Sequence, residues 1–323
     1  VHAGPRFARA ARGCYATSDT VTCRSQSTLD VSMRPSPTSW SFDPLALVAL
    51  ALLLGAYFAA IGPLRRRLRI EEPVALRRIT YFVAGWLTVL LTLVTPLDTL
   101  GRYYLFSAHT LQLFILTTIA APLLMLGTPE WLVGLLIPLA ALRNATRGLL
   151  FPVIAALAFN IIVIVWHVGP LYEQALHDPG THDLQMLSFL VAGVLTWWPL
   201  LTPLDRHTRM ATPFQMLYLM LESLPLDIFG VAAIFALGPF YPAYVAAPRL
   251  FGLSAMTDQQ VSGGLLAVPG NLIDITLLSI VFFTWINRME RAQRERERAL
   301  YEQEDAAAEA ALGSAPASET TRG

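Results

Sequence analysis

Three histidines stand where an apolar sequence seldom places a titratable ring. His109 lies in "LFSAHTLQLFILTTIAAPLLMLGTP", a run long enough to cross a bilayer. It sits about 7–8 Å inside the leading end of that run, at 1.5 Å per residue. His167 closes a second apolar run in "VIVWHVGPLY", and His182 opens a third in "GTHDLQMLSFL". Met186 follows His182 four residues on, on the same helix face. Imidazole is a general metal ligand and thioether sulfur favours Cu(I), so His109, His167, His182 and Met186 suit copper. A closed zinc site would more often recruit Cys or carboxylate, and no Cys lies in the apolar runs. Each histidine taken alone also reads as a satisfied core group. Three at matched depth on consecutive runs point to one shared site.

Carboxylates lie in apolar surroundings too. Glu222 and Asp227 fall in "YLMLESLPLDIFG", and Asp274 falls in "GNLIDITLL". Acids at membrane depth are expensive and invite a functional reading, a polar path for protons or cations. The structural reading is a hydrogen-bonded cluster that ties three spans together, with Asn160 as a partner. Pro225 removes a backbone donor between the two acids of the first run and predicts a kink there.

Classical catalytic signatures are missing: H-E-x-x-H, G-x-S-x-G and a P-loop do not occur. The sequence therefore gives no reason to expect an enzyme. Cys14 and Cys23 lie in a polar segment at a spacing unlike zinc or redox motifs. A disulfide or two idle thiols remain open for them.

The elements that must position these residues are membrane spans. The chain has 323 residues, is 54% hydrophobic and only 14% charged, and a soluble fold cannot hide that much apolar surface. Seven runs near bilayer length are expected at about 44–62, 79–96, 104–126, 149–167, 184–201, 213–237 and 264–286. A shorter piece, 130–140, fits the interface. The expected fold is all-α, a polytopic membrane bundle of seven transmembrane helices.

Every basic residue is Arg. "RRRLRIEEPVALRR", Arg143 with Arg147, Arg206 with Arg209, and the tail after Arg288 alternate with the other loops, so they share one side. That predicts N-out and C-in. The Arg residues lie in loops and tail, not on an aromatic-interleaved face, so nucleic acid is not an expected partner. Residues 1–39 read as a disordered segment, 40–287 as the membrane domain, and 288–323 as a charged helical tail with a disordered end.

Five stretches in order carry a family resemblance. They are "WSFDPLALVALALLLGAYFAAIGPLRRR", "TPLDTLGRYYLFSAHTLQLFILTTIAAPLLMLGTPEWL", "FNIIVIVWHVGPLYEQAL", "THDLQMLSFLVAGVLTWWPLL" and "GLSAMTDQQVSGGLLAVPG". Over about 40–290 the chain resembles the multi-spanning CtaG family of cytochrome c oxidase assembly factors, associated with caa-type oxidases. The resemblance implies seven spans in the bacterial plasma membrane and a role in maturing the oxidase at its copper centre. It maps the family's histidines onto His109, His167 and His182. The family often has further histidines where this chain has Leu113 and Met186, and Met-Trp where it has Leu266 and Ala267. Met186 keeps a soft ligand; Leu113 removes one.

The expected function is a non-enzymatic assembly factor that binds Cu(I) near the outer face. Its partners would be oxidase subunits and the lipid bilayer. Ligation needs neutral imidazole, so binding should weaken below about pH 6. Three other classes stay open: a haem-binding membrane redox protein, a proton- or cation-coupled transporter through Glu222, Asp227 and Asp274, and a metal-free assembly scaffold.

Overall fold

The computed structural model describes residues 14–17, 20–23, 34–71, 73–136, 151–201 and 211–313. A hairpin of β1 (Cys14–Thr17) and β2 (Thr20–Cys23) pairs antiparallel, with Cys14 opposite Cys23 in register. The rest of the described chain is helical or irregular. In order the helices are α1 (Pro44–Arg67), α2 (Leu76–Val94), α3 (Pro96–Tyr103) and α4 (Phe106–Gly127). Next come α5 (Glu130–Leu136), α6 (Phe151–Trp166), α7 (Gly169–His177) and α8 (Pro179–Leu201). The last are α9 (Thr212–Leu221), α10 (Leu224–Phe235), α11 (Pro242–Val245) and α12 (Ala255–Gly313).

Local sequence sets the helix ends. Asp43 caps α1, its carboxylate accepting from Leu45 N at 2.8 Å and Ala46 N at 3.2 Å, with Pro44 in the first helical position. Thr95 and Pro96 repeat the device at α3. Pro63 and Pro122 each remove an N–H, and a π-helical turn holds or abuts each of them, at Ala60–Leu64 and Ile115–Ala120.

Five of these helices, and α9 with α10 taken together, are long and apolar enough to cross a membrane; α6 and α7 make a seventh span if that pair counts as one. The seven expected runs are therefore all present as helices. They also face outward in the way a bilayer demands: Leu45, Leu52, Leu157, Ile161 and Leu187 are exposed. The bundle is a multi-pass membrane protein built from α-helices.

Two boundaries differ from expectation. The fourth span stops at Trp166, and α7 leaves it at an angle of 71°. Pro170 stands in the first turn of α7 and cannot donate back to Trp166, which is why the helix breaks there. The seventh span begins at Ala255, well before 264, and runs unbroken into the charged tail as far as Gly313. Its early polar residues Asp258, Gln259 and Ser262 are buried, so polarity there marks helix contacts and not a loop.

Of the segment expected to be disordered, 1–39, most lies outside the described residues. Its last part is packed down. Arg34 donates to Tyr103 O at 2.9 Å, Tyr104 Oη donates to Pro35 O at 2.5 Å, and Thr99 Oγ1 donates to Ser39 O at 3.0 Å. Arg143, Arg147, Arg206, Arg209 and the final ten residues fall outside the described residues. Piece 130–140 is helical where described, as α5.

The apolar core joins α1, α2, α4, α6 and α8 through Tyr57, Phe82, Leu113, Phe159, Val163 and Phe189. At α10 and α12 the backbones themselves meet. A Cβ on Gly263 would overlap the carbonyl of Gly230, so Gly263 needs glycine for this approach, while one on Gly230 would be tight at 3.0 Å.

Candidate functional site

Each histidine is delivered by a different helix end. His109 is one turn into α4, whose first N–H groups are capped from the far end of the sequence. The Asp258 carboxylate accepts from Phe106 N at 2.6 Å and Ser107 N at 3.2 Å, and the Ser107 hydroxyl donates to it as well. Thr110 Oγ1 and Ser262 Oγ meet at 2.5 Å one turn on. These contacts lock α4 to α12. On its other side α4 is met by α3 at Gly101, where an added Cβ would overlap Gln112 Oε1 and come within 3.0 Å of His109 N. His109 is fully buried.

His167 sits at the break between α6 and α7. Its Nδ1–H donates to Val163 O at 2.7 Å, and its carbonyl accepts from Tyr241 Oη at 2.9 Å. His182 lies in the first turn of α8. That turn is capped by Asp178, whose carboxylate accepts from Thr181 N at 2.7 Å. His182 Nε2–H donates to Asp98 Oδ1 at 2.9 Å.

The same Asp98 oxygen accepts from Gln112 Nε2 at 3.1 Å, and Ser41 adds a further hydrogen bond. Gln112 Nε2 also donates to Thr92 O at 3.2 Å. Both neighbours of that amide nitrogen are acceptors, which fixes the amide orientation. Burial works against the charge on Asp98, but these donors hold its carboxyl below the ordinary value of 3.8.

Aromatic rings enclose two of the imidazoles. The His109 and His167 ring centres are 5.7 Å apart at an interplanar angle of 64°. Tyr172 lies 5.0 Å from His109 and 5.7 Å from His167; Phe189 lies 5.9 Å and 6.2 Å from them. Phe106 completes the ring at 6.4 Å and 6.1 Å. Tyr172 is itself tied down: Tyr244 Oη donates to Gly101 O at 2.6 Å, so Tyr172 Oη donates to Tyr244 Oη across 2.7 Å.

Hydrogen-bond accounting distinguishes this cluster from the rest of the interior. Among the described residues, eight buried side-chain N or O atoms have no hydrogen-bond partner. Seven belong to His109, Gln112, His167, His182 and Gln185. Native interiors leave few such atoms, so their concentration here calls for a water, ion or other group as partner. The tautomers follow from the bonds that are made. With Nδ1–H given to a carbonyl, His167 keeps the Nε2 lone pair. With Nε2–H given to Asp98, His182 keeps the Nδ1 lone pair. A carbonyl or carboxylate on the other ring nitrogen is the usual support of a metal-ligating histidine.

The fit to a metal is partial. A first-row ion lies about 2.0–2.1 Å from each imidazole nitrogen, which puts two ring centres sharing an ion up to about 6.4 Å apart. His109 and His167 meet that limit, although aromatic packing alone gives similar spacings. No three His, Cys, Asp or Glu side chains among the described residues form a metal-holding group. Met186 is buried in the apolar core together with Leu113.

The carboxylates form a separate cluster. Glu222 Oε2 accepts from Thr196 Oγ1 at 2.5 Å, and Asn160 Nδ2 donates to the Glu222 carbonyl at 2.7 Å. Asp227 accepts from Ser223 at 3.3 Å and Asn271 at 3.2 Å, and Ser223 also serves Asp274. Asn160 thus bonds the Glu222 backbone and not a carboxylate, and the helix is interrupted between Leu221 and Leu224, next to Pro225. Together with Leu113, the acids line a cavity of about 60 Å3.

Residues 55–288, more than half of the chain, match the family model described as cytochrome c oxidase caa3 assembly factor, Caa3_CtaG. No curated protein and no solved structure gave a match.

Proposed function

The chain belongs to the family of cytochrome c oxidase caa3 assembly factors, and on that premise we propose that it holds Cu(I) at the histidine end for maturation of the oxidase copper centre. The observation that supports this reading is the set of unpartnered nitrogen lone pairs on His109, His167 and His182. Two of those rings have the other nitrogen tied to an acceptor, which orients the lone pair and raises its basicity. Copper here is cargo. His109 and His167 would hold it, and His182 would join after a side-chain shift toward them. Met186 would be an auxiliary soft ligand by the same movement.

The protein's own residues supply a dry, fixed frame. Asp258 sets the start of α4 and so the height of His109. Asp98 sets the tautomer of His182. Phe106, Tyr172 and Phe189 exclude water around the two central rings and favour the lower-charged copper ion. The same three side chains occupy the space a porphyrin would need between His109 and His167, which argues against haem.

The arginine placement supports an N-out, C-in arrangement in the bacterial plasma membrane, with the histidine end on the outer side. Oxidase subunits would be the partners, and no reaction is catalysed. A metal-free scaffold is the second reading, favoured by the lack of a three-ligand group among the described residues.

Complementation decides between them. A strain lacking this protein, supplied with His109→Ala or His167→Ala, is expected to assemble oxidase only when excess copper is added. Full assembly by both variants without added copper would leave the scaffold reading standing.

A further inference from the structure

The tail end of the bundle, away from the histidines, carries a second feature. An apolar groove of about 360 Å3 is walled by Leu53, Tyr57, Phe82, Leu132, Val133 and Trp198. Leu53 is 39% exposed, so the groove opens on the flank that a bilayer would cover. Tyr57 and Phe82 stack at 3.6 Å, and the Tyr57 hydroxyl is turned away to Gly127 O at 3.0 Å. Tyr57 lies ten residues from Arg67, about 15 Å along the helix, which is the depth of one leaflet.

The groove ends at Thr128, whose carbonyl accepts from Arg78 Nη1 at 3.2 Å. Arg78, Glu71 and Glu130 are the charged residues lining a cavity of about 420 Å3 just beyond, whose other walls include Val74, Pro129 and Trp131. Arg78 and Glu130 approach to 3.4 Å, with side chains 33% and 63% exposed. An arginine has five N–H donors, so these two bonds leave donors over for a further acceptor.

We propose that groove and mouth form one site for a single phospholipid with a zwitterionic, primary-amine headgroup, such as phosphatidylethanolamine. The acyl chain fills the apolar groove. The phosphate takes Arg78, and the ammonium takes Glu71 and Glu130. Among the described lining residues, one guanidinium and two carboxylates make a charge pattern that complements such a headgroup. An anionic headgroup would meet two carboxylates against a single guanidinium among the described lining residues. A quaternary ammonium lacks the N–H donors the carboxylates can use.

Native mass spectrometry of the full chain in detergent, with equal amounts of phosphatidylethanolamine, phosphatidylglycerol and phosphatidylcholine, tests this. The expected result is one retained phosphatidylethanolamine, preferred about two- to fivefold over each of the others. Glu130→Gln, a change on an exposed side chain, should shift retention toward phosphatidylglycerol. Ala56→Trp, which fills the groove from its exposed wall, should abolish retention of all three. Equal retention of the three lipids, an unchanged preference in Glu130→Gln, or unchanged retention in Ala56→Trp would each overturn the proposal.

Discussion

Asp98 and His182 meet at 2.9 Å in the interior, although 84 residues separate them in the chain. The bond joins α3 to α8, and it decides which nitrogen of His182 is left free. A carboxylate of a short connecting helix thereby meets His182.

Removing that carboxylate should cost both stability and cargo. Asp98→Ala leaves His182 Nε2–H without its acceptor and takes one from Gln112 and Ser41. Thermal unfolding in detergent should show a loss of about 2–4 kcal/mol. Asp98→Asn keeps an acceptor oxygen and should cost about half as much.

Acid should act through the same group. Folding lowers the Asp98 pKa from its ordinary 3.8. A lowered carboxylate adds stability that is complete above the unfolded-state value and is lost as pH falls through the folded-state value. Wild type should therefore lose stability relative to Asp98→Asn below about pH 4, measured as converging unfolding midpoints on acid titration.

The junction of α3 and α4 has no spare volume at Gly101. Gly101→Ala should destabilise by about 1–3 kcal/mol through displacement of Gln112 and the His109 backbone. Gly55→Ala, where nothing lies within 4 Å of the added carbon, is the control and should be neutral or slightly stabilising.

The cap on α4 comes from α12, so a change at Asp258 should be felt at His109. Asp258→Ala should cost about 1–2 kcal/mol and speed amide exchange at Phe106 and Ser107. Hydrogen exchange read by mass spectrometry over the peptide containing His109 checks it.

The acid cluster should behave as structure. Glu222→Gln can still accept from Thr196 and should leave oxidase assembly unchanged. Glu222→Leu removes the acceptor and should lower the unfolding temperature. A Glu222→Gln variant that is stable but fails to assemble oxidase would assign that carboxyl an active role.

Much of this was legible in the amino-acid order. Span existence follows from apolar run length, and all seven runs appear as helices. Matched depth singles out the three histidines, of which His109 and His167 bring their ring centres within 5.7 Å. Other features depend on packing across the chain. Asp98 reads as an ordinary first-turn acid after Thr95 and Pro96, and only the approach of α8 gives it a partner. Gln112 and Gln185 are neutral amides with no motif to mark them; full burial with unpartnered amide atoms makes them conspicuous. The start of α12 was missed because window hydropathy treats Asp258, Gln259 and Ser262 as water-facing, when each is buried against another helix. Leu113 stands out only through the family resemblance, and the structure buries it in the apolar core.

The most direct test of the copper reading is Cu(I) binding to the detergent-purified full chain, loaded anaerobically and measured by metal analysis with a competing chelator. The account predicts one Cu(I) per chain, with affinity falling by at least about tenfold to a hundredfold in His109→Ala and in His167→Ala. No bound copper in the wild type, or unchanged stoichiometry and affinity in both variants, would contradict it.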